Sequence, residues 1–171
     1  MPIKPRERIM MISTHGYVSA TPEFGMPDTG GQVVYVLELS NCLARMGYRV
    51  DILTRCFEDQ PSMEEVSDGV RILRFPCGGK EFIPKETLCH KIPEWVANSR
   101  HYIDSKRLRY AFINSHYWDA GLAGQALANH LTFLTSIRPI RLAPGNATTW
   151  TATRRSWSVS TTSVTGFVKR R

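Results

Sequence analysis

The sequence predicts an α/β protein in which helices cover both faces of a parallel sheet. Short apolar runs alternate with longer segments of helical periodicity along the first 130 residues. That alternation is typical of strand–helix–strand units. Each predicted strand is also nearly continuous in apolar residues, as expected for strands that are buried on both faces.

The first half of the chain predicts two strands and the helix between them. RIMMIST, from Arg8 to Thr14, predicts a short buried strand, and residues 15–29 predict a loop rich in Gly, Pro and small side chains. Apolar residues then recur at steps of three and four, which predicts a helix over residues 30–46. The apolar positions of this helix are Val33, Val36, Leu39, Leu43 and Met46. Gly47 follows as a C-terminal cap, and residues 48–54 predict the second strand.

The second half predicts two more strands and two more helices. The predicted order is a polar connection (58–69), a strand (70–76), a helical segment (84–105) that breaks or kinks at Pro93, a strand (111–116) and a helix (119–130). In open parallel sheets, ligands bind beyond the carboxyl ends of the strands. The loops that follow the strands are therefore the first place to look for a site.

The net positive charge of the chain comes from its carboxyl-terminal part. The formal net charge is +7, and the seven Lys and Arg residues beyond position 119 account for all of it, because no Asp or Glu occurs there. The preceding 119 residues are neutral, so the basic character does not indicate a nucleic-acid partner for the body of the protein. We expect neither a nucleic-acid nor a membrane partner.

The four cysteines form no CxxC pair and complete no metal-ligand spacing. The only early apolar run, residues 9–12, is too short for a secretory signal, and no run approaches the roughly 20 residues of a membrane span. We therefore predict a cytoplasmic protein with no metal site and no cofactor.

The glycine pair Gly30–Gly31, followed by Gln32, opens the first predicted helix. The first amides of a helix lack intrahelical partners and carry partial positive charge, so bare backbone at this point can hold an anion or a sugar hydroxyl. The pair is also compatible with a simple tight turn, and it is not the GxGxxG pattern of dinucleotide sites.

Other polar residues fall beyond the predicted strands. His15 follows the first, Lys80 and Lys85 follow the third, and His116 and Tyr117 follow the fourth. Each has an ordinary interpretation, as a solvated charge, a hydrogen-bonded histidine or a packed ring. Their convergence on one edge of the sheet favours a binding site more than any one of them does.

Five runs in order resemble a known family. They are ISTHGYV, PDTGGQVVYVLELSNCLARMGYRVDILTR, FEDQP, RFPCGGKEFIPKE and FINSHYWDAGLAGQ. Together they resemble the amino-terminal domain of retaining GT-B glycosyltransferases of glycosyltransferase family 4, in the group of sucrose-phosphate and mannosylfructose-phosphate synthases. The resemblance covers Arg8 to His130. It implies a Rossmann-like sheet, the amino-terminal half of a GT-B fold.

The resemblance also implies an acceptor site for fructose 6-phosphate. It implies that Gly31 and Gln32 approach the sugar, that Lys85 binds its phosphate and that Tyr117 lines the pocket. Further residues of the crevice are predicted as lining: His15, Gly30 and His116. No catalytic residue is assigned to this chain. The nucleotide sugar, GDP-mannose or UDP-glucose, is a partner of the full-length enzyme only.

The likeness ends near Leu131. Residues 1–131 are interpreted as an incomplete acceptor-binding domain, and residues 132–171 as an aberrant basic tail, disordered or translated out of frame. A shifted frame in the tail permits a sequence with the TPHSLG motif expected next in the family. The alternative is a basic arm that binds nucleic acid or acidic lipid through Trp150, Trp157 and Phe167.

Two functions are open on this basis. The first is a glycosyltransferase fragment that is inactive alone, because the donor half of the parent enzyme is absent. The second is a stand-alone sugar-phosphate-binding module without catalysis.

Overall fold

The computed structural model describes residues 7–22, 25 and 30–131 with their side chains, and residues 148–153 and 156–161 by their backbone. The first unit contains five strands: β1 (Arg8–Ile12), β2 (Arg49–Cys56), β3 (Met63–Ser67), β4 (Val70–Pro76) and β5 (Phe112–Ser115). Its helices are α1 (Gly31–Arg45), α2 (Lys85–Leu88), α3 (Ile92–Ser105) and α4 (Trp118–Leu131). A 3₁₀ turn at Cys89–Lys91 separates α2 from α3, and Pro93 lies in the first turn of α3, so the predicted break is present.

The strands form one mixed sheet in the order β3-β4-β2-β1-β5. β4, β2, β1 and β5 are parallel, and only the edge strand β3 runs antiparallel to its neighbour. The carboxyl ends of the four parallel strands therefore share one edge. This confirms the predicted fold class.

Helices pack on both faces of the sheet, and successive side chains of β1 contact these two layers alternately. Ile9 and Met11 belong to a buried cluster with Val33 and Val36 of α1. Met10 and Ile12 belong to a second cluster, on the opposite face, with side chains of α3 and α4 such as Trp95. Successive strand residues point to opposite faces, so the apolar run of β1 serves two cores at once.

Strand β3 lies inside the segment predicted to be only a polar connection, so that prediction was wrong. The strand MEEVS alternates exposed and half-buried residues, as expected for an edge strand. A two-residue turn, Asp68–Gly69, joins it to β4, with Ser67 paired to Val70 and Gly69 at φ +85°. An Asp-Gly pair between two strands is a strong hairpin signal, and it was present in the sequence.

Helix α1 ends in a Schellman motif at Gly47, which has φ +96°. The Gly47 amide donates to the Ala44 carbonyl at 2.8 Å and the Tyr48 amide to the Leu43 carbonyl at 3.2 Å. The predicted cap is confirmed. The predicted place of Met46 on the apolar face was wrong: it caps the helix C-terminus and is 73% exposed.

The second unit contains two antiparallel strands, β6 (Thr148–Thr153) and β7 (Ser156–Thr161). Apart from their backbone, the predicted aberrant tail of residues 132–171 lies outside the described residues and stays a prediction, including the alternative roles of Trp150, Trp157 and Phe167. Among the residues described, no helix has the length and apolarity that crossing a membrane requires.

Candidate functional site

The carboxyl edge of the parallel sheet carries a group of buried polar side chains. Ser13, Thr14 and His15 follow β1, and His116 follows β5. Asp119 lies in the first turn of α4 and is completely buried. Burial of polar groups is costly unless they are hydrogen-bonded. The hydrogen bonds at this edge are therefore important for its structure.

The start of α1 forms one side of this edge. Gly30 is extended (φ −125°, ψ −161°) and caps the helix without a side-chain hydrogen bond. A Cβ added to Gly30 or Gly31 would meet no described atom within 4 Å, and neither glycine has a positive φ. Neither packing nor backbone conformation in the described structure requires glycine here, and the backbone at the start of α1 is open.

Gln32 ties the start of α1 to the end of β1. Its side-chain amide donates to the Ser13 hydroxyl at 3.0 Å. Gln32 is half-buried and Gly31 is exposed, so the first turn of the helix stays accessible while its position is fixed.

Asp119 joins α4 to the same strand end. One of its oxygens, Oδ2, accepts from the Thr14 hydroxyl at 2.6 Å and from His15 Nδ1 at 2.8 Å. Its other oxygen, Oδ1, is buried and has no partner in the described structure. The Asp119 carboxylate therefore holds the segment that follows β1 against the start of α4.

Tyr117 stands between His15 and Lys85. Its ring centre lies 4.8 Å from that of His15, edge to face, and 5.8 Å from the Lys85 ammonium nitrogen. The ring is 39% exposed, and the residue adopts φ +81°, a region that bulky side chains avoid. Three of the predicted site residues, which come from the loops after β1, β4 and β5, are thus brought into contact.

His116 precedes Tyr117 in the chain and is only 3% exposed. Its ring contacts Tyr35 of α1 at 5.7 Å, and its Nε2 has no partner among the described atoms. Burial lowers the pKa of His116 to about 4, so the ring is neutral at neutral pH. His116 therefore contributes no charge to this edge of the sheet at neutral pH.

Lys80, the other lysine after β4, does not join the cluster. Its side chain is 82% exposed and its ammonium lies 3.5 Å from Asp59. Arg55 fixes the loop that follows β4 and carries Lys80. Its guanidinium is buried at the end of β2 and donates to three carbonyls of the loop: Cys77 at 2.9 Å, Gly79 at 3.0 Å and Glu81 at 2.7 Å.

No individual role was predicted from the sequence for Arg55 or Asp119. The only local signal was for Asp119, an acidic residue in the first turn of a helix, where the dipole favours negative charge. The partners of Arg55 and Asp119 are distant in sequence and follow from the folded topology alone.

Comparisons with known proteins identify relatives of the chain. The profile of the glycosyl transferase 4-like domain matches residues 30–161. Mannosylfructose-phosphate synthase of Agrobacterium fabrum is 58% identical over 124 residues, covering 72% of this chain and 27% of that protein. A probable sucrose-phosphate synthase of Thermosipho melanesiensis is 36% identical over 116 residues, covering 63% of this chain and 27% of that protein.

A solved structure is similar as well. Sucrose-phosphate synthase from Thermosynechococcus elongatus has a TM-score of 0.68 at 30% sequence identity, covering 77% of this chain and 32% of that chain. The chain therefore spans about a quarter to a third of the length of these relatives.

Proposed function

The chain belongs to the glycosyl transferase 4-like family, and from this premise we propose that the carboxyl edge of its sheet binds a phosphorylated sugar as the acceptor of glycosyl transfer. Its α/β unit is the amino-terminal portion of a GT-B glycosyltransferase. The observation that carries the proposal is the contact of Lys85, Tyr117 and His15 beside the open start of α1.

Each part of this edge suits one part of such an acceptor. The Lys85 ammonium offers a point charge to the phosphate. The bare backbone at Gly31 lets sugar hydroxyls approach the amides of α1 closely. The partly exposed ring of Tyr117 offers an apolar face and a hydroxyl.

We propose fructose 6-phosphate as this acceptor. Two relatives support the choice by name, since one is a mannosylfructose-phosphate synthase and another a probable sucrose-phosphate synthase. The donor of the full-length enzyme is a nucleotide sugar, GDP-mannose or UDP-glucose. The role of the described residues is to bind and orient the acceptor, which is a large part of catalysis in group transfer.

We propose that these 171 residues alone do not catalyse glycosyl transfer, because they cover only 27% of the length of the synthase to which they are 58% identical. The test is an assay of the purified chain with fructose 6-phosphate and either nucleotide sugar. Appearance of a glycosylated product would overturn this part of the proposal.

Binding without turnover would make the chain a sugar-phosphate-binding module. The wall formed by Lys85, Tyr117 and His15 lies within the described residues, which favours that second function. We also propose a cytoplasmic location, supported by four cysteines that are all free.

Calorimetry tests the acceptor site directly. We expect the chain to bind fructose 6-phosphate weakly and to bind fructose less well still. Lys85→Ala should weaken binding of the phosphate about tenfold or more, the loss of one hydrogen bond to a charged group. Lys80→Ala is the matched control and should change nothing, because that side chain is 82% exposed and contacts Asp59. Equal effects of the two substitutions would contradict the proposal.

A further inference from the structure

The buried carboxylate of Asp119 has a connection to the site that goes beyond local structure. It lies in the first turn of α4, where the helix dipole favours a negative charge, and it accepts two hydrogen bonds on one oxygen. Both donors, the Thr14 hydroxyl and His15 Nδ1, come from the segment that follows β1. A fully buried carboxylate is tolerated only where such partners are fixed.

The bond from His15 to Asp119 sets the tautomer of the imidazole. A carboxylate oxygen only accepts, so the proton of the neutral ring must sit on Nδ1. The bond also sets the orientation of the ring, since Nδ1 lies 2.8 Å from Asp119 Oδ2 while the ring meets Tyr117 edge to face.

The backbone around Tyr117 needs support of the same kind. A left-handed conformation at a bulky residue is strained and persists only where neighbouring contacts impose it. On one side the His116 amide donates to the Ile12 carbonyl at 2.9 Å. On the other side the Gly121 amide donates to the Tyr117 carbonyl at 2.9 Å, and the bond between His15 and Asp119 ties the same turn to the segment that follows β1.

We propose that Asp119 is a positioning residue that locks His15 as the Nδ1–H tautomer and thereby holds the Tyr117 ring against Lys85. What that wall binds rests on the function proposed above. Asp119 itself touches no ligand, because its side chain is completely buried.

The tautomer can be measured on the wild-type chain by ¹⁵N NMR of the imidazole. We expect Nδ1–H for His15 at neutral pH. The Nε2–H tautomer in the wild-type chain would overturn the proposal, and this measurement needs no variant.

Two variants distinguish the bond between Asp119 and His15 from the bond between Asp119 and Thr14. Asp119→Asn keeps the size of the side chain but gives His15 an amide that can also donate. We expect His15 to shift mainly to the Nε2–H tautomer and the ring resonances of Tyr117 to move. Thr14→Val is the matched control, since it removes the other bond to Asp119 and leaves the bond to His15. It should keep the Nδ1–H tautomer.

Binding of fructose 6-phosphate distinguishes this proposal from the proposed function. We expect Asp119→Asn to weaken it about tenfold, a loss on the scale of one charge-assisted hydrogen bond, and Thr14→Val to change it less than about twofold. A folded Asp119→Asn chain with an unchanged tautomer and unchanged binding would overturn the positioning role. If Asp119→Asn shifts the tautomer of His15 but the wild-type chain binds no fructose 6-phosphate, the proposed function is overturned and the positioning of Tyr117 stands.

Discussion

The ammonium of Lys85 lies 5.8 Å from the centre of the Tyr117 ring. A cation over an aromatic face gains roughly 0.5–1 kcal/mol at an accessible site. Lys85 begins α2, after β4, and Tyr117 follows β5, so the contact joins two loops that belong to non-adjacent strands of the sheet. The Tyr117 ring therefore helps to position the Lys85 ammonium that is proposed to bind phosphate.

The ring of Tyr117, more than its hydroxyl, should therefore preserve the preference for a phosphorylated sugar. We expect Tyr117→Phe to retain the ratio of fructose to fructose 6-phosphate dissociation constants, because the contacts with Lys85 and His15 remain. Tyr117→Leu should reduce that ratio severalfold, on the scale of one cation–π contact. Calorimetry with both sugars gives the ratio. Loss of the preference in Tyr117→Phe would show that the hydroxyl is the important group.

Gly31 offers a variant in which stability and binding should move in opposite directions. A Cβ at this position meets no described atom within 4 Å, and alanine is the better helix former, so Gly31→Ala should leave the free energy of unfolding unchanged or raise it by up to about 1 kcal/mol. Binding of fructose 6-phosphate should weaken, because the added methyl group occupies the approach to the first amides of α1.

Gly47, at the other end of the same helix, is the control for Gly31→Ala. Its φ of +96° disfavours any Cβ, so Gly47→Ala should destabilise the fold by about 1 kcal/mol and leave sugar binding intact. Urea unfolding and calorimetry on both variants check the pair. Unimpaired binding in Gly31→Ala would remove the glycine pair from the acceptor site.

The sequence predicted most of the fold because the periodicity of apolar residues is a local signal. Strands β1, β2, β4 and β5 and helices α1, α3 and α4 were all expected, and the parallel arrangement then placed the polar loops at one edge. Strand β3 was not predicted because its residues are mostly polar, as an edge strand needs little apolar surface.

The site could be predicted only in part, for a physical reason. His15, Lys85 and Tyr117 were recognisable as polar residues beyond strand ends, and the folded chain brings them into contact. Asp119 and Arg55 act through partners that no local pattern reveals: the Thr14–Asp119 bond, for example, joins residues 105 positions apart. Whether the predicted residues bind an acceptor stays a prediction.

His116 predicts a pH dependence of stability. Burial lowers its pKa from 6.5 to about 4 in the folded chain, so between these values the unfolded state binds more protons. Stability from this residue is complete above pH 6.5 and is lost as the pH falls toward 4. Between pH 7 and pH 5 we expect a loss of about 2 kcal/mol.

The variant His116→Gln removes the titrating group and keeps a polar side chain. Urea unfolding at pH 7 and pH 5 should show a smaller fall in the free energy of unfolding for this variant than for the wild-type chain. Carboxylates titrate in both, so the difference between the two falls isolates His116. Equal falls would mean that the histidine titrates alike in the folded and unfolded chains.

The packing of α4 on β5 depends on Gly124. A Cβ built there would lie 2.2 Å from the Ser115 hydroxyl oxygen, while Ser115 Cβ and Ile12 Cδ1 would both be at an ordinary 3.5 Å. That hydroxyl is buried and has no partner among the described atoms. The obstacle to an alanine at position 124 is thus a single oxygen atom.

This geometry predicts a strong coupling between the two positions. Gly124→Ala alone should destabilise the fold by about 1–3 kcal/mol, the usual cost of overpacking. Ser115→Ala alone should be nearly neutral, because an unpartnered buried hydroxyl contributes little when it is removed. In the double variant the remaining contacts at 3.5 Å are normal, so most of the loss should be recovered, and alanine adds helix propensity. Urea unfolding of the four chains gives the coupling free energy. If the two effects simply added, α4 would have to pack against β5 at a greater distance than it does in this structure.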